Sequence, residues 1–381
     1  MKKISNNDYI IDIYSQASIY NPYGSVKNRK LKAYFSIPEE GTNEDTGICL
    51  FIAGFGGDSN SNIYKKMRRQ FADEYNLITV QCDYFGCEFM QDTREVSNPN
   101  IAREVVSNIF SESEVNSIYE NGNFDMNRFM EVAKRYPLTL QLNEVLNEDL
   151  DNFNDMGLIQ AIDNISAVLN VINILYDNEM HFNSKKIIIY GHSHGAYLGY
   201  LCNAFAPNLF SVLIDNSAWL IPAYIEENSV RSLQSKMDNL NVIINFDYIA
   251  KKIIKDKKIL DLSYIYSKFS NRCNIVSYHG TTDNLINNND KEAFCNNIRN
   301  CNYNEVSDEN IDGFVFKSTD HGLGADFLEV FKYTMDNLEF QFEKSYQIEL
   351  SNNIKFYTDK FKYNINYDNV MPRIYLEKIN E

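Results

Sequence analysis

A chain of 381 residues with 44% hydrophobic side chains can bury a substantial core, as one elaborated α/β domain or two smaller ones. Its formal charge of −16 offers no basic stripe for a phosphate backbone, so nucleic acid is excluded as the expected partner. Seven cysteines form an odd set without zinc-binding spacing, and no run reads as long enough to span a bilayer.

Lys2-Lys3 lead into polar Asn6-Asn7-Asp8 rather than the apolar core of a signal peptide, so a cytoplasmic, reduced, soluble protein is expected. Residues 1–38 read as β-rich: Leu31, Ala33, Phe35 and Ile37 alternate with Lys32, Tyr34 and Ser36, and Pro38 stops the strand. Gly47 to Ala53 is a continuous apolar run, suited to a parallel strand buried on both faces, and it ends in Gly54-Phe55-Gly56-Gly57-Asp58. A helix over 64–75 and a second buried strand over 77–82 complete a βαβ unit, followed by Asp83-Tyr84-Phe85-Gly86-Cys87.

Residues 94–155 break this rhythm; they are polar and predicted helical in pieces, over 101–110 and 123–136, without a strand. A helical apolar face returns over 156–176 through Ile162, Ile165, Leu169, Ile172 and Leu175. A strand over 187–190, a helix over 196–206 and a strand over 210–214 follow. Residues 217–272 again read as helices with no parallel strand. A strand over 274–278, a helix over 290–300, a strand over 313–317 and a helix over 325–338 close the alternation. In the tail, Phe361, Tyr363, Ile365 and Tyr367 alternate with Lys362, Asn364 and Asn366, predicting a small β appendage that could pair with the first 30 residues. The expected organisation is a domain over 1–340 with cap inserts at 94–155 and 217–272, and a β-rich extension over 341–381.

The chemistry centres on Gly191-His192-Ser193-His194-Gly195, which directly follows a strand and precedes a helix. A serine on so sharp a turn has its hydroxyl lifted off the sheet edge, and side chains at the flanking glycines would collide with neighbouring backbone. Such a nucleophile needs a base, and the base needs a partner to fix its tautomer. Of five histidines, His192 and His194 flank the serine with side chains expected to point away from its hydroxyl. His181 precedes the strand at the wrong end, and His279 looks structural; His321, in Asp320-His321-Gly322-Leu323-Gly324, remains. Asp283, after the 274–278 strand, is the preferred acid, with Asp215 as its competitor. The oxyanion donors should be the N–H groups of His194 and of Phe55, with Gly56 second. Trp219, the only tryptophan, is expected to pack in the core rather than stack on a ligand.

Ala53-Gly54-Phe55-Gly56-Gly57, the serine pentapeptide, Asp283 in His279-Gly280-Thr281-Thr282-Asp283, and His321 together resemble the α/β-hydrolase superfamily over roughly 30–93, 156–216 and 273–340. Many members carry His-Gly where this chain has Ala53-Gly54. The whole chain also resembles an uncharacterised bacterial hydrolase-like family whose members sometimes accompany surface-glycan or flagellin-modification genes. The resemblance implies an α/β-hydrolase fold: a central, mostly parallel sheet with helices on both faces, helical cap inserts and a small C-terminal β appendage. It implies a serine hydrolase that cleaves an ester or thioester through an acyl-serine, with no metal or organic cofactor. The expected partner is a small acyl ester, such as an acylated sugar. An acyltransferase on the same fold, or a non-catalytic binding protein, stays open at this stage, and no signal fixes the oligomeric state.

Overall fold

The computed structural model describes residues 2–5, 7–24, 28–91, 93, 97, 101–120, 122–337 and 340–379. Its strands are β1 (Lys2–Ser5), β2 (Asp8–Gln16), β3 (Asn28–Ser36), β4 (Gly47–Ile52), β5 (Leu77–Cys82), the two-residue pair β6 (Tyr119–Glu120) and β7 (Asn123–Phe124), and β8 (Thr139–Asn143). They continue as β9 (Ile187–His192), β10 (Val212–Asn216), β11 (Arg231–Met237), β12 (Leu240–Phe246), β13 (Asn274–Gly280), β14 (Cys301–Val306), β15 (Ile354–Tyr357), β16 (Phe361–Asn366) and β17 (Arg373–Lys378). The helices are α1 (Asn62–Tyr75), α2 (Arg103–Ser107), α3 (Glu112–Ile118), α4 (Met126–Ala133), α5 (Leu158–Asp177), α6 (His194–Phe205), α7 (Ala250–Ile253), α8 (Leu262–Tyr266), α9 (Asn288–Asn296) and α10 (Phe327–Asn337).

The main sheet runs β1-β2-β3-β5-β4-β9-β10-β13-β14. It is antiparallel from β1 to β5 and parallel from β5 to β14. Strands β4 and β10 are buried along their whole length, and β9 as far as Gly191, because both faces are covered. Ile48, Leu50, Ile52, Ile187 and Ile189 face the core shared with α5 and α6. Cys49, Phe51, Ile188 and Tyr190 face a second core, which includes Phe71 of α1 and Phe331 of α10. This is the α/β-hydrolase fold, and it gathers the turns after β4, β9 and β13 at one carboxyl edge, where such sheets hold their ligands.

Helix α5 is long and apolar enough to cross a membrane by length and composition, contrary to the expectation that no run is. It is a core helix: 83% of its apolar window is buried inside the protein. Its start is held by Asp155, whose two carboxylate oxygens accept the N–H groups of Gly157 and Ile159 at 3.2 and 2.7 Å. Burial pushes the Asp155 carboxyl up to about 7, against the opposing pull of those two N–H groups. A raised folded-state value means that its contribution to stability is complete below the unfolded carboxyl's range and is lost as pH climbs towards 7. Urea unfolding at pH 4.5 and 7.5 is therefore expected to show a loss on the order of 3 kcal/mol from this group. Asp155→Asn, whatever its baseline stability, should flatten that slope; an unchanged slope would contradict the assignment.

Three parts of the expected layout are corrected. The excursions read as helical share a sheet of order β11-β12-β8, in which the β11–β12 hairpin turns at Asp238-Asn239 and β12 pairs with β8 in parallel. The Val242-Ile243-Ile244 run of β12 is stiff at χ1 and suits a pleated surface better than a helix. Helices α2, α3 and α4 pack a separate apolar cluster on this sheet, including Val106, Phe110, Phe129, Leu140 and Val242. Residues 94–96, where the first excursion begins, and Leu338, the expected end of the last helix, lie outside the described residues.

The last sheet strand is β14, and 313–317 is a loop in which Asp312 Oδ1 accepts the N–H groups of Phe314, Val315 and Phe316. The tail forms its own antiparallel sheet, β15-β16-β17, which among the described residues does not pair with the first strands. It meets them through a side chain instead: the Gln16 amide donates to Ile374 O at 2.6 Å and accepts from Ile374 N at 2.7 Å.

Candidate active site

The turn after β9 is built by close approach. A Cβ on Gly191 would lie 2.5 Å from Ala196 N, and one on Gly195 would lie 2.2 Å from Ile52 O, so neither position admits a side chain. Between them Ser193 takes φ +53° and ψ −120°. Such a backbone costs on the order of 1–3 kcal/mol for a residue with a Cβ. It is over-determined here: Ser193 N donates to Asn216 O at 2.8 Å, and Ser193 O accepts from Tyr197 N at 3.0 Å.

His321 reaches this serine from the loop before α10. Its Nε2 lies 2.7 Å from Ser193 Oγ, and its Nδ1 lies 2.8 Å from Asp283 Oδ2. Asp283 Oδ1 accepts the N–H groups of Leu285 and Ile286 at 2.8 and 3.1 Å. Burial alone would raise this carboxyl, but the His321 hydrogen bond and charge, with those two N–H groups, outweigh it and hold it below the ordinary range. An ionised carboxylate only accepts, so Nδ1 carries the proton and Nε2 is left to accept from the serine hydroxyl.

Asp215 is committed elsewhere. Its Oδ2 receives Lys291 Nζ at 2.7 Å, Tyr200 Oη at 2.9 Å and Ser277 Oγ at 2.7 Å, all buried, and its Oδ1 accepts Ala218 N. His279 supports the neighbouring turn by donating from Nε2 to Ile286 O at 3.1 Å. His194 is fully buried, with Nε2 2.8 Å from Gln160 Oε1. Because the Gln160 amide nitrogen is spent on Phe85 O and Asn154 Oδ1, its oxygen accepts and His194 donates. Burial pulls His194 down to about 3, so it stays neutral. His192 lines the same cavity as Ser193, and its ring lies 6.2 Å from the His321 ring. Burial, then the neighbouring His321, pull it down to about 4.

The turn after β4 abuts the serine: a Cβ on Gly54 would stand 3.8 Å from Ser193 Cβ. Gly57 N closes the turn on Gly54 O at 2.9 Å, and Gly56 takes φ +80°. Gly56 N is engaged by Met90 Sδ at 3.4 Å. Among the described residues, neither Phe55 N nor His194 N meets an acceptor.

Residues 24–236, more than half of the chain, match the family described as "Protein of unknown function (DUF2920)". The chain belongs to that family. No curated protein matches it. Among solved structures, the DUF2920 chain is similar to Est1E from Butyrivibrio proteoclasticus, at 15% identity over 85% of this chain and 98% of that one, with a TM-score of 0.43. It is also similar to Thermogutta terrifontis esterase 2 phosphonylated by sarin, at 12% identity, 84% and 91% coverage, and a TM-score of 0.42. An acylaminoacyl peptidase in complex with a chloromethyl ketone is matched at 11% identity over 91% of this chain and 43% of that one, with a TM-score of 0.47. Each is a likeness of chain path.

In this DUF2920 protein a cavity of about 310 Å³ opens over Ser193 and His321. Gly54, Phe55, Trp219, Tyr224, Arg231 and Leu285 are among its walls. Trp219 is buried as expected of a core residue, yet it borders this cavity, and its Nε1 has no hydrogen-bond partner among the described residues. A larger cavity, about 1100 Å³, runs beside β3 and the Asp83–Cys87 turn; it contains none of Ser193, Asp283 and His321. Among the described residues no cluster of three His, Cys, Asp or Glu side chains is arranged to hold a metal ion.

Sequence reasoning missed the residues that seat the His321 loop. Ser217 Oγ accepts Gly322 N at 3.1 Å, and Asn216 Nδ2 donates to Gly322 O at 3.4 Å. Their position directly after Asp215, at the carboxyl end of a strand next to the serine turn, was the available signal. Arg231 left none, because only the pairing of the cap strands brings it over the site.

Proposed function

We propose that this protein is a serine hydrolase that cleaves a carboxylic ester through an acyl-serine intermediate. The observation that carries this reading is the chain of short contacts from Ser193 Oγ through His321 to Asp283, at 2.7 and 2.8 Å. Ser193 Oγ attacks the ester carbonyl carbon while its proton passes to His321 Nε2. Asp283 stabilises the imidazolium so formed. The negative charge on the carbonyl oxygen is taken up by the unpaired N–H groups of Phe55 and His194. The C–O bond to the leaving alcohol breaks as His321 returns its proton to that oxygen. Water, deprotonated by His321, then releases the acid by the same route and restores Ser193.

These backbone donors stand in place before charge develops on the carbonyl oxygen. A cavity of about 310 Å³ suits a small acyl ester rather than a long lipid. A fluorophosphonate probe is expected to label the protein at Ser193 and to leave Ser193→Ala unlabelled. Labelling that persists in that variant would end this reading. A panel of 4-nitrophenyl esters from acetyl to octanoyl should show turnover that falls off with acyl length.

A further inference from the structure

Arg231, the first residue of β11, is held over the serine by the cap and forms no ion pair among the described residues. Its Nη1 makes one long hydrogen bond, 3.4 Å, to the Tyr224 hydroxyl, and the guanidinium lies 5.8 Å from the Tyr224 ring centroid. Its Nε is buried and has no partner. Two interior arginines elsewhere are ion-paired: Arg29 sits on Asp163 at 2.7 Å, and Arg68, whose Nε and Nη2 also lack hydrogen bonds, lies beside Asp8 at 3.9 Å. A half-buried cation without a counter-charge is costly, and the cost is recovered only when an anion arrives.

The cavity walls sharpen this. Among the described residues no carboxylate lines the cavity, and Arg231 is its only lysine or arginine, in a chain of net charge −16. Two of its buried donors, Arg231 Nε and Trp219 Nε1, lack acceptors. The Nε and Nη2 edge of a guanidinium presents two parallel N–H bonds that match a carboxylate, and here that edge makes no hydrogen bond among the described residues.

We propose that Arg231 binds a carboxylate carried by the substrate, so that the natural ester is anionic. This rests on the hydrolase reading for its reaction, but the anion site stands on the cavity itself. Ser193 and Arg231 line the same small cavity, so one molecule meets both. The carboxylate can belong to the acyl half, as in a dicarboxylic half-ester, or to the alcohol half, as in an acylated sugar acid.

Two matched pairs separate these sources. 4-Nitrophenyl hemiglutarate against 4-nitrophenyl pentanoate tests the acyl half, and 3-acetoxybenzoate against 3-acetoxybenzamide tests the alcohol half. In one pair the anionic ester is expected to have a kcat/KM about tenfold higher or more. Arg231→Gln should bring that ratio near one, Arg231→Lys should give an intermediate value, and Lys236→Gln, exposed on the same strand, should keep it. Ratios near one in both pairs for the native protein, or a preference that survives Arg231→Gln in a folded variant, would overturn the proposal. Calorimetry with monomethyl glutarate reads the anion site directly, and binding should be lost in Arg231→Gln. If the protein neither hydrolyses esters nor takes the fluorophosphonate, the hydrolase reading fails, and the calorimetric result still decides Arg231. Absence of binding to the native protein would count against it.

Discussion

Asp283→Asn is expected to lower kcat for an ester substrate by about 10⁴-fold with the fold intact. Asp283 Oδ1 is the acceptor for two backbone N–H groups, from Leu285 and Ile286, so the amide of an asparagine must keep its oxygen on that side. Its NH₂ group then faces His321 Nδ1, where Oδ2 now accepts at 2.8 Å. A donor there forces Nδ1 to become the acceptor and puts the histidine proton on Nε2. The atom 2.7 Å from Ser193 Oγ could then no longer take the serine's proton. The check is kcat for a 4-nitrophenyl ester beside a urea melt. Activity within tenfold of the native protein, at equal stability, would show that Asp283 is not the partner that the mechanism requires.

Lys291→Met gives the opposite signature: a stability loss of roughly 3–5 kcal/mol with the serine still reactive in the folded fraction. Lys291 and Asp215 are both buried, with Nζ and Oδ2 2.7 Å apart, and Lys291 lies over the Tyr200 ring at 5.0 Å. Removing the lysine strands a carboxylate whose remaining donors, from Tyr200, Ser277 and Ala218, are neutral. Asp215→Asn strands the ammonium in the same way. Combining the two should recover part of the loss, because the desolvated charges disappear together. Urea denaturation of the single and double variants measures this, with fluorophosphonate labelling rates on the folded protein. A loss under 1 kcal/mol for both single variants, with labelling abolished in Asp215→Asn, would reverse the roles of the two aspartates.

The contrast between those aspartates shows where sequence stops. Both close strands at the same edge, and chain order alone ranks them only by habit of the fold. What separates them is Lys291, which α9 brings back to Asp215 across 76 residues. The serine turn was readable because its pattern is local: strand, glycine, serine, glycine and helix are contiguous, although only Gly191 answers a contact within the turn, with Ala196 N, while Gly195 answers Ile52 O of the neighbouring strand. His321 was reachable by elimination among five histidines. The cap sheet was not, since β8 and β12 lie about 100 residues apart and short polar-apolar alternations such as Thr139–Asn143 carry little periodic signal. The edge strand Cys301–Val306 was missed for a related reason: only one side of it is paired and Asn302, Asn304 and Glu305 interrupt it, so it lacks the apolar run of its neighbours.

The parallel ladder between β8 and β12 ties the fates of two distant insertions together. Trimming either one in a shortened relative would leave the other with a bare row of backbone amides and carbonyls, an invitation to self-association. Lineages should therefore gain or shed both as a unit, and chimeras that graft only one are expected to precipitate.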